Sequence, residues 1–117
     1  MKVFSGKKPI LSSQEAKVLS AIRKALSRKL AGNNFQMILY GSKARGDSDE
    51  HSDIDVAIII DKMDRTLKGK ILDIIYDMEI RYDTPVSALV ISLEDHMKLI
   101  KLERRIALDI ESEGIVL

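Results

Sequence analysis

The run Asp53-Ile54-Asp55-Val56-Ala57-Ile58-Ile59-Ile60 constrains the fold more than any other part of the chain. Its Ile and Val side chains favour an extended, pleated backbone, and so continuous an apolar stretch is a strand covered on both faces. Helices must therefore lie above and below it. Two aspartates stand at the entrance to this strand, and their alternate positions put both on one face, roughly 6 to 7 Å apart along the chain. Two ionised carboxylates so close repel each other and resist burial, so something cationic is expected beside them.

The flanking segments supply the helices. Ser12 followed by Glu15 is a capping box that opens a helix on Val18, Leu19, Ile22, Leu26 and Leu30, ending near Gly32. Phe35 to Tyr40 is a short buried strand. The chain then turns through a single helical turn between Gly41 and Gly46, residues that accept backbone conformations others resist. After the second strand, Asp64 caps a helix that runs to about Tyr82 on Leu67, Ile71, Ile74, Ile75 and Met78, with Gly69 tolerated at about 1 kcal/mol against alanine. Val86 to Ile91 is the third strand. Ser92 with Asp95 starts a final helical region whose Met97, Leu99, Ile100, Leu102 and Ile106 read as core; Gly114 stops it, and the closing Ile-Val-Leu can add an edge strand.

This order predicts an α/β (α+β) architecture, a small sheet covered by helices, in one domain spanning residues 1–117 with 1–11 as a loose lead-in. A connection of about a dozen residues between the first two strands is near the lower limit for a parallel crossover, so the sheet is expected to be mixed. Net charge of +1 selects no partner by bulk electrostatics. The chain has no cysteine, which leaves oxygen or histidine to hold any metal. Without a long apolar run or a signal-like start, a cytoplasmic protein away from membranes is expected.

The chemistry concentrates around the two glycines and the two aspartates. Asp53 and Asp55 are suited to Mg²⁺, which prefers hard oxygen ligands and keeps waters for a phosphate substrate. Gly41 and Ser42 form a candidate anion cradle, where glycine lets phosphate reach backbone N–H groups without meeting a Cβ. Lys43 and Arg45 are candidates for further phosphate charge compensation, and Arg45 equally for tying the turn to Asp47 or Asp49. A phosphate cradle beside a dicarboxylate suits phosphoryl or nucleotidyl transfer.

Other constellations are set aside. Asp47, Asp49 and Glu50 cannot make an EF-hand, because the sixth position counted from Asp47 is Ser52 and not glycine. No Walker-type phosphate loop occurs. His51 and His96 lack a metal-ligating partner at helical spacing and are expected on the surface. Lys98, Lys101, Arg104 and Arg105 are interrupted by acids and lack interleaved aromatics, so a solvated helix face is expected there and not a nucleic-acid interface.

Gly41-Ser42, ten intervening residues, then Asp53-Ile54-Asp55 resembles the GS-x10-DxD signature of the DNA polymerase beta superfamily of nucleotidyltransferases. The fuller segment from Tyr40 to Ile58 looks like the small stand-alone members called minimal nucleotidyltransferases. The resemblance implies the polymerase beta palm-like nucleotidyltransferase fold, nucleotide phosphates on Gly41 and Ser42, and two Mg²⁺ ions on Asp53 and Asp55. It implies transfer of NMP from an NTP, with ATP favoured, to an acceptor hydroxyl. Members of this kind are often encoded beside a HEPN-domain protein, and some are antitoxins that adenylylate that partner's tyrosine.

The family usually carries a third aspartate on a later strand; here that position falls on Ser87, and no carboxylate occurs from Thr84 to Leu93. A neutral serine cannot act as a general base near pH 7. Two readings follow, a nucleotidyltransferase enzyme and a catalytically weak nucleotide-binding module that acts by binding a partner protein. Pairing of sheet edges into a homodimer is open in both.

Overall fold

The computed structural model describes residues 11–47 and 52–117; the lead-in over 1–10 and the positions of Asp49, Glu50 and His51 lie outside the described residues. The first helix, α1 (Ser13–Lys29), starts at the expected capping box. Glu15 N–H donates to Ser12 Oγ at 3.1 Å and Ser12 N–H donates back to Glu15 Oε1 at 2.8 Å. Strand β1 (Phe35–Tyr40) leads into the single turn α2 (Ser42–Arg45), and β2 (Ile54–Ile60) follows. Asp64 caps α3 (Arg65–Tyr82) by accepting the Leu67 N–H at 2.7 Å. Strand β3 (Val86–Ser92), helices α4 (Leu93–Lys101) and α5 (Arg105–Glu113), and strand β4 (Ile115–Val116) complete the chain.

The sheet is mixed, in the order β3-β2-β1-β4. The short connection through α2 leaves β1 and β2 antiparallel, whereas α3 carries the chain back so that β3 runs parallel to β2. Strand β4 pairs antiparallel with β1, matching Leu39 to Ile115. The acid-headed strand is thus central. Ile54, Val56, Ile58 and Ile60 pack with Val18, Ile22 and Leu26 of α1 and Ile71 and Ile75 of α3. Ala57 and Ile59 face the other way, with Ile38 and with Ile110 of α5. Each fully buried isoleucine contributes about 1.5–3 kcal/mol of transfer free energy, which is what fixes the register of β2 against its two layers.

Two expectations are corrected at the C-terminal end. The final helical region is broken, with Glu103 at φ 55 separating α4 from α5. The inward face of α4 runs through Leu93, His96 and Ile100, so Met97 and Leu102 are 54% and 62% exposed, and Ile106 beyond the break is exposed as well, where core positions were expected. Ala107 and Ile110 take the buried places instead. His96, expected on the surface, is 2% exposed. Its ring sits on the face of α4 turned toward α5, with Nε2 3.4 Å from Glu111 Oε1. Neither ring nitrogen has a hydrogen-bond partner among the described residues.

Candidate active site

The site forms where β1 ends. Gly41 adopts φ 75, which a side chain would disfavour, and α2 begins at the next residue. A Cβ built on Gly41 would overlap Asp55 Oδ2 and lie 3.1 Å from its Cγ, so glycine is required for a second reason. The Ala44 and Arg45 N–H groups donate to the Gly41 carbonyl at 3.1 and 3.0 Å, which closes the turn. As the first helical residue, Ser42 presents its N–H at the open end of that turn, the end at which helices receive anions. Gly46 then reverses the chain at φ 84.

Asp55 lies in the second residue of β2, paired with Tyr40 of β1 on one side and Ser87 of β3 on the other. Residues paired across a sheet share a face, so Tyr40, Asp55 and Ser87 form one row on the side covered by α5, with strands about 4.8 Å apart. Ser87 is therefore the β3 side chain nearest in register to Asp55. Partial burial holds the Asp55 carboxyl above its usual range, the charge of Asp53 pushes it further, and Glu113 adds to this while Arg45 opposes it. Tyr40 is also raised, by burial and then by the Asp55 charge. The local field thus favours a cation beside Asp55. Asp53 is exposed and immediately precedes the strand, which starts at Ile54.

The two cations of the turn go to opposite sides. Lys43 is 6% exposed and ion-paired through Nζ to Glu15 Oε2 at 2.7 Å. The carboxylate of the α1 capping box thereby anchors α2. Burial pushes the Glu15 carboxyl up, but its hydrogen bonds with Lys43 and Ser12 outweigh burial and leave it below its ordinary value. Lys43 also lines a polar cleft of about 440 Å³ with Ser52, Asp83 and Thr84. Arg45 reaches Asp47 Oδ2 through Nε at 3.1 Å, and through NH1 it reaches Glu113 Oε1 at 3.0 Å. Of the carboxylates outside the third strand, Glu94 pairs with Lys98 on α4, beyond the far end of β3, whereas Asp83 borders the cleft at the near end.

Glu113 was missed in the sequence. It accepts the Gly41 N–H at 3.2 Å in addition to the Arg45 contact. The signal was available in principle: Leu39 pairs with Ile115, and two steps further along that antiparallel register Glu113 comes opposite Gly41. What hid it was the terminal strand, which is two residues long.

The donor set fits Mg²⁺ in one respect, two hard carboxylates whose mutual repulsion a cation relieves. No cluster of three or more acidic, histidine or cysteine ligands occurs among the described residues, so water and substrate phosphates would have to complete the coordination.

The glycine turn at the end of β1 thus packs directly on one of two neighbouring carboxylates. The family described as nucleotidyltransferase domain matches residues 19–110, and the chain belongs to it. A protein of Methanocaldococcus jannaschii named "putative protein adenylyltransferase" is 37% identical over 75 residues, covering 62% of this chain and 75% of its own. A second protein of that name from the same organism is 34% identical over 80 residues, covering 68% of this chain and 76% of its own. Among solved structures, a "putative nucleotidyltransferase" from Sulfolobus solfataricus covers 95% of this chain and 88% of its own at 17% identity, with a TM-score of 0.47. No helix among the described residues is long and apolar enough to cross a membrane.

Proposed function

We propose that this nucleotidyltransferase moves AMP from ATP to a hydroxyl group on a protein, with Mg²⁺ as cofactor. The observation that carries the reading is the packing of Asp55 directly on Gly41, which puts a carboxylate against the turn that would hold the triphosphate. The names of the two Methanocaldococcus relatives support adenylyl transfer to protein.

In this scheme the Ser42 N–H and the open end of α2 bind a phosphate, and Gly41 keeps the approach clear. Asp53 and Asp55 would hold Mg²⁺, which neutralises the triphosphate and the departing pyrophosphate. The acceptor oxygen bonds to the α-phosphorus, the bond from that phosphorus to the bridging oxygen breaks, and pyrophosphate leaves with the electron pair. The hydroxyl proton is lost to solvent, since Ser87 beside Asp55 offers no base at neutral pH. The sequence resemblance suggests a HEPN-domain partner as acceptor and an antitoxin role.

The test is incubation with α-labelled ATP, Mg²⁺ and co-purified proteins, with the Asp53→Ala/Asp55→Ala double variant alongside. Label should pass to a protein acceptor and vanish in the double variant; transfer that survives both changes would remove the metal assignment. A second reading, a module that retains nucleotide binding and acts by contact with a partner protein, is favoured by Ser87 at the register of Asp55. It predicts measurable ATP·Mg²⁺ binding with no transfer to any acceptor.

A further inference from the structure

We propose that Glu113, at the C-terminal end of α5, is a positioning residue of the nucleotide site: its carboxylate sets the conformation in which the Gly41–Ser42 turn receives the triphosphate. The inference rests on the nucleotidyltransferase reading above and adds the C-terminal segment to its machinery.

A single oxygen, Glu113 Oε1, accepts from the Gly41 N–H at 3.2 Å and from Arg45 NH1 at 3.0 Å. These donors are the N-cap and the last residue of α2, so one carboxylate spans the whole turn. A helix of four residues has too few internal hydrogen bonds to hold its own shape, and Gly41 has no side chain with which to cap it. Outside restraint must supply the order, and charge-assisted bonds are the stronger kind. Lys43 to Glu15 restrains the turn toward α1, and Glu113 restrains it toward α5.

Glu113 is itself held. Ala107 and Ile110 bury α5 against the sheet, and β4 locks to β1 directly after Gly114. The contrast with Asp47 is informative. Asp47 touches Arg45 between two well-exposed side chains, the kind of pair worth little, whereas Glu113 also engages a backbone amide at a positive φ. Because Gly41 packs on Asp55, a shift of Gly41 changes the spacing between the phosphate turn and the carboxylate.

The experiment uses the full chain as wild type, Glu113→Ala, Glu113→Gln and Glu113→Asp. It measures ATP·Mg²⁺ affinity by calorimetry, the Gly41 amide resonance by NMR, and Tm. Glu113→Ala should move the Gly41 amide resonance and weaken ATP·Mg²⁺ binding about tenfold, the worth of one charge-assisted hydrogen bond. Glu113→Gln keeps an acceptor oxygen within reach but not the charge, and should recover about half of that loss in free energy, to about threefold weaker than wild type. Glu113→Asp keeps the charge but shortens the reach, and should bind as weakly as Glu113→Ala. A merely structural Glu113 would lower Tm in all three variants and leave the affinity of the folded protein unchanged. Unchanged affinity in Glu113→Ala, or in Glu113→Asp should the alanine variant not fold, overturns the inference alone, as does a glutamine variant no better than alanine. A wild-type chain that binds no ATP·Mg²⁺ overturns the nucleotidyltransferase reading and the inference together.

Discussion

Beneath α1 and α3 the sheet presents Met37, Leu39, Val56, Ile58 and Val90, all buried, while the opposite face at the same strand ends presents Tyr40, Asp55 and Ser87. Asp55 sits between Ile54 and Val56, both turned to the other side and essentially without solvent contact. The period of two along a strand lets one segment be core and reactive surface at once. The first face carries apolar burial with few polar interruptions. The second carries a smaller apolar cluster, around Ile38, Ala57, Ile59 and Ile110, and leaves its end open for chemistry. Stability and reactivity are therefore separable by substitution.

The sharpest separation is at Asp55. Asp55→Asn should lower transfer about a thousandfold or more under the proposed function, in which Asp55 holds Mg²⁺ and several kcal/mol of charge stabilisation go with it. Its stability should move the other way. The Asp55 carboxyl is raised by burial and by Asp53, so its charged form destabilises the folded chain above its unfolded pKa. Asparagine removes that penalty at pH 7, and the advantage should shrink as the pH falls and wild-type Asp55 takes up its proton. Thermal melts at both pH values, beside the transfer assay, check the two signs; a variant less stable than wild type at pH 7 would break the comparison.

The converse substitution is Ile22→Ala, on the first face. Ile22 is fully buried between α1 and the sheet, and its truncation should cost about 2–5 kcal/mol of unfolding free energy. Below its melting transition the variant should still transfer at close to the wild-type rate, because Ile22 belongs to the apolar cluster on the face opposite Asp55. Urea unfolding and an assay at low temperature measure both. A rate loss comparable to that of Asp55→Asn would show that the two faces are coupled.

A smaller effect is expected between α4 and α5, where the buried His96 and the partly buried Glu111 stand 3.4 Å apart and lack full hydrogen bonding. His96→Leu alone leaves the Glu111 carboxylate without its neighbour and should cost about 1–3 kcal/mol. The double change His96→Leu/Glu111→Leu should be neutral or stabilising, as is common when a buried polar pair is replaced by apolar groups. Unfolding of the single and double variants gives the coupling directly. A double variant worse than the single would mean that the pair organises this face, as the apolar core organises the other.

Much of this division was legible from residue order. The isoleucine run marked a strand covered on both faces, the Ser12–Glu15, Asp64 and Ser92 caps marked where helices begin, and the connection of about a dozen residues between the first two strands favoured a mixed sheet, though not which pair is antiparallel. Ser87 was singled out through the family resemblance alone, and the pairing of β3 with β2 sets it beside Asp55. The break between α4 and α5 was not legible, because a helix end in the left-handed region is usually signalled by glycine and here that conformation falls on Glu103. His96 was expected outside because no ligating partner stands at helical spacing from it, and nothing in its neighbours in sequence announced that α4 turns it, and not Met97, inward. Lys43 and Arg45 were read as candidates for phosphate charge compensation, but the directions they take depend on Glu15 and Glu113, far away in sequence. Local pattern carries no information about such partners.

The smallest effect tests the link between the faces, since α2 buries Ala44 in the first face and sends Arg45 toward the second. Glu15→Gln keeps the capping box, which accepts either residue, and removes the charge opposite Lys43. The cost should be about 1.5 kcal/mol, the low end for a hydrogen bond to a charged group. Its pH dependence identifies its origin. The Glu15 carboxyl is held below its ordinary value of 4.5, so its contribution is fully present above that pH and is lost as the pH falls through the lower folded value. Wild type should therefore exceed Glu15→Gln in melting temperature at pH 7 and converge with it in acid. Equal stability at pH 7 would mean that the turn is held from the α5 side, and would shift the weight of the restraint to Glu113.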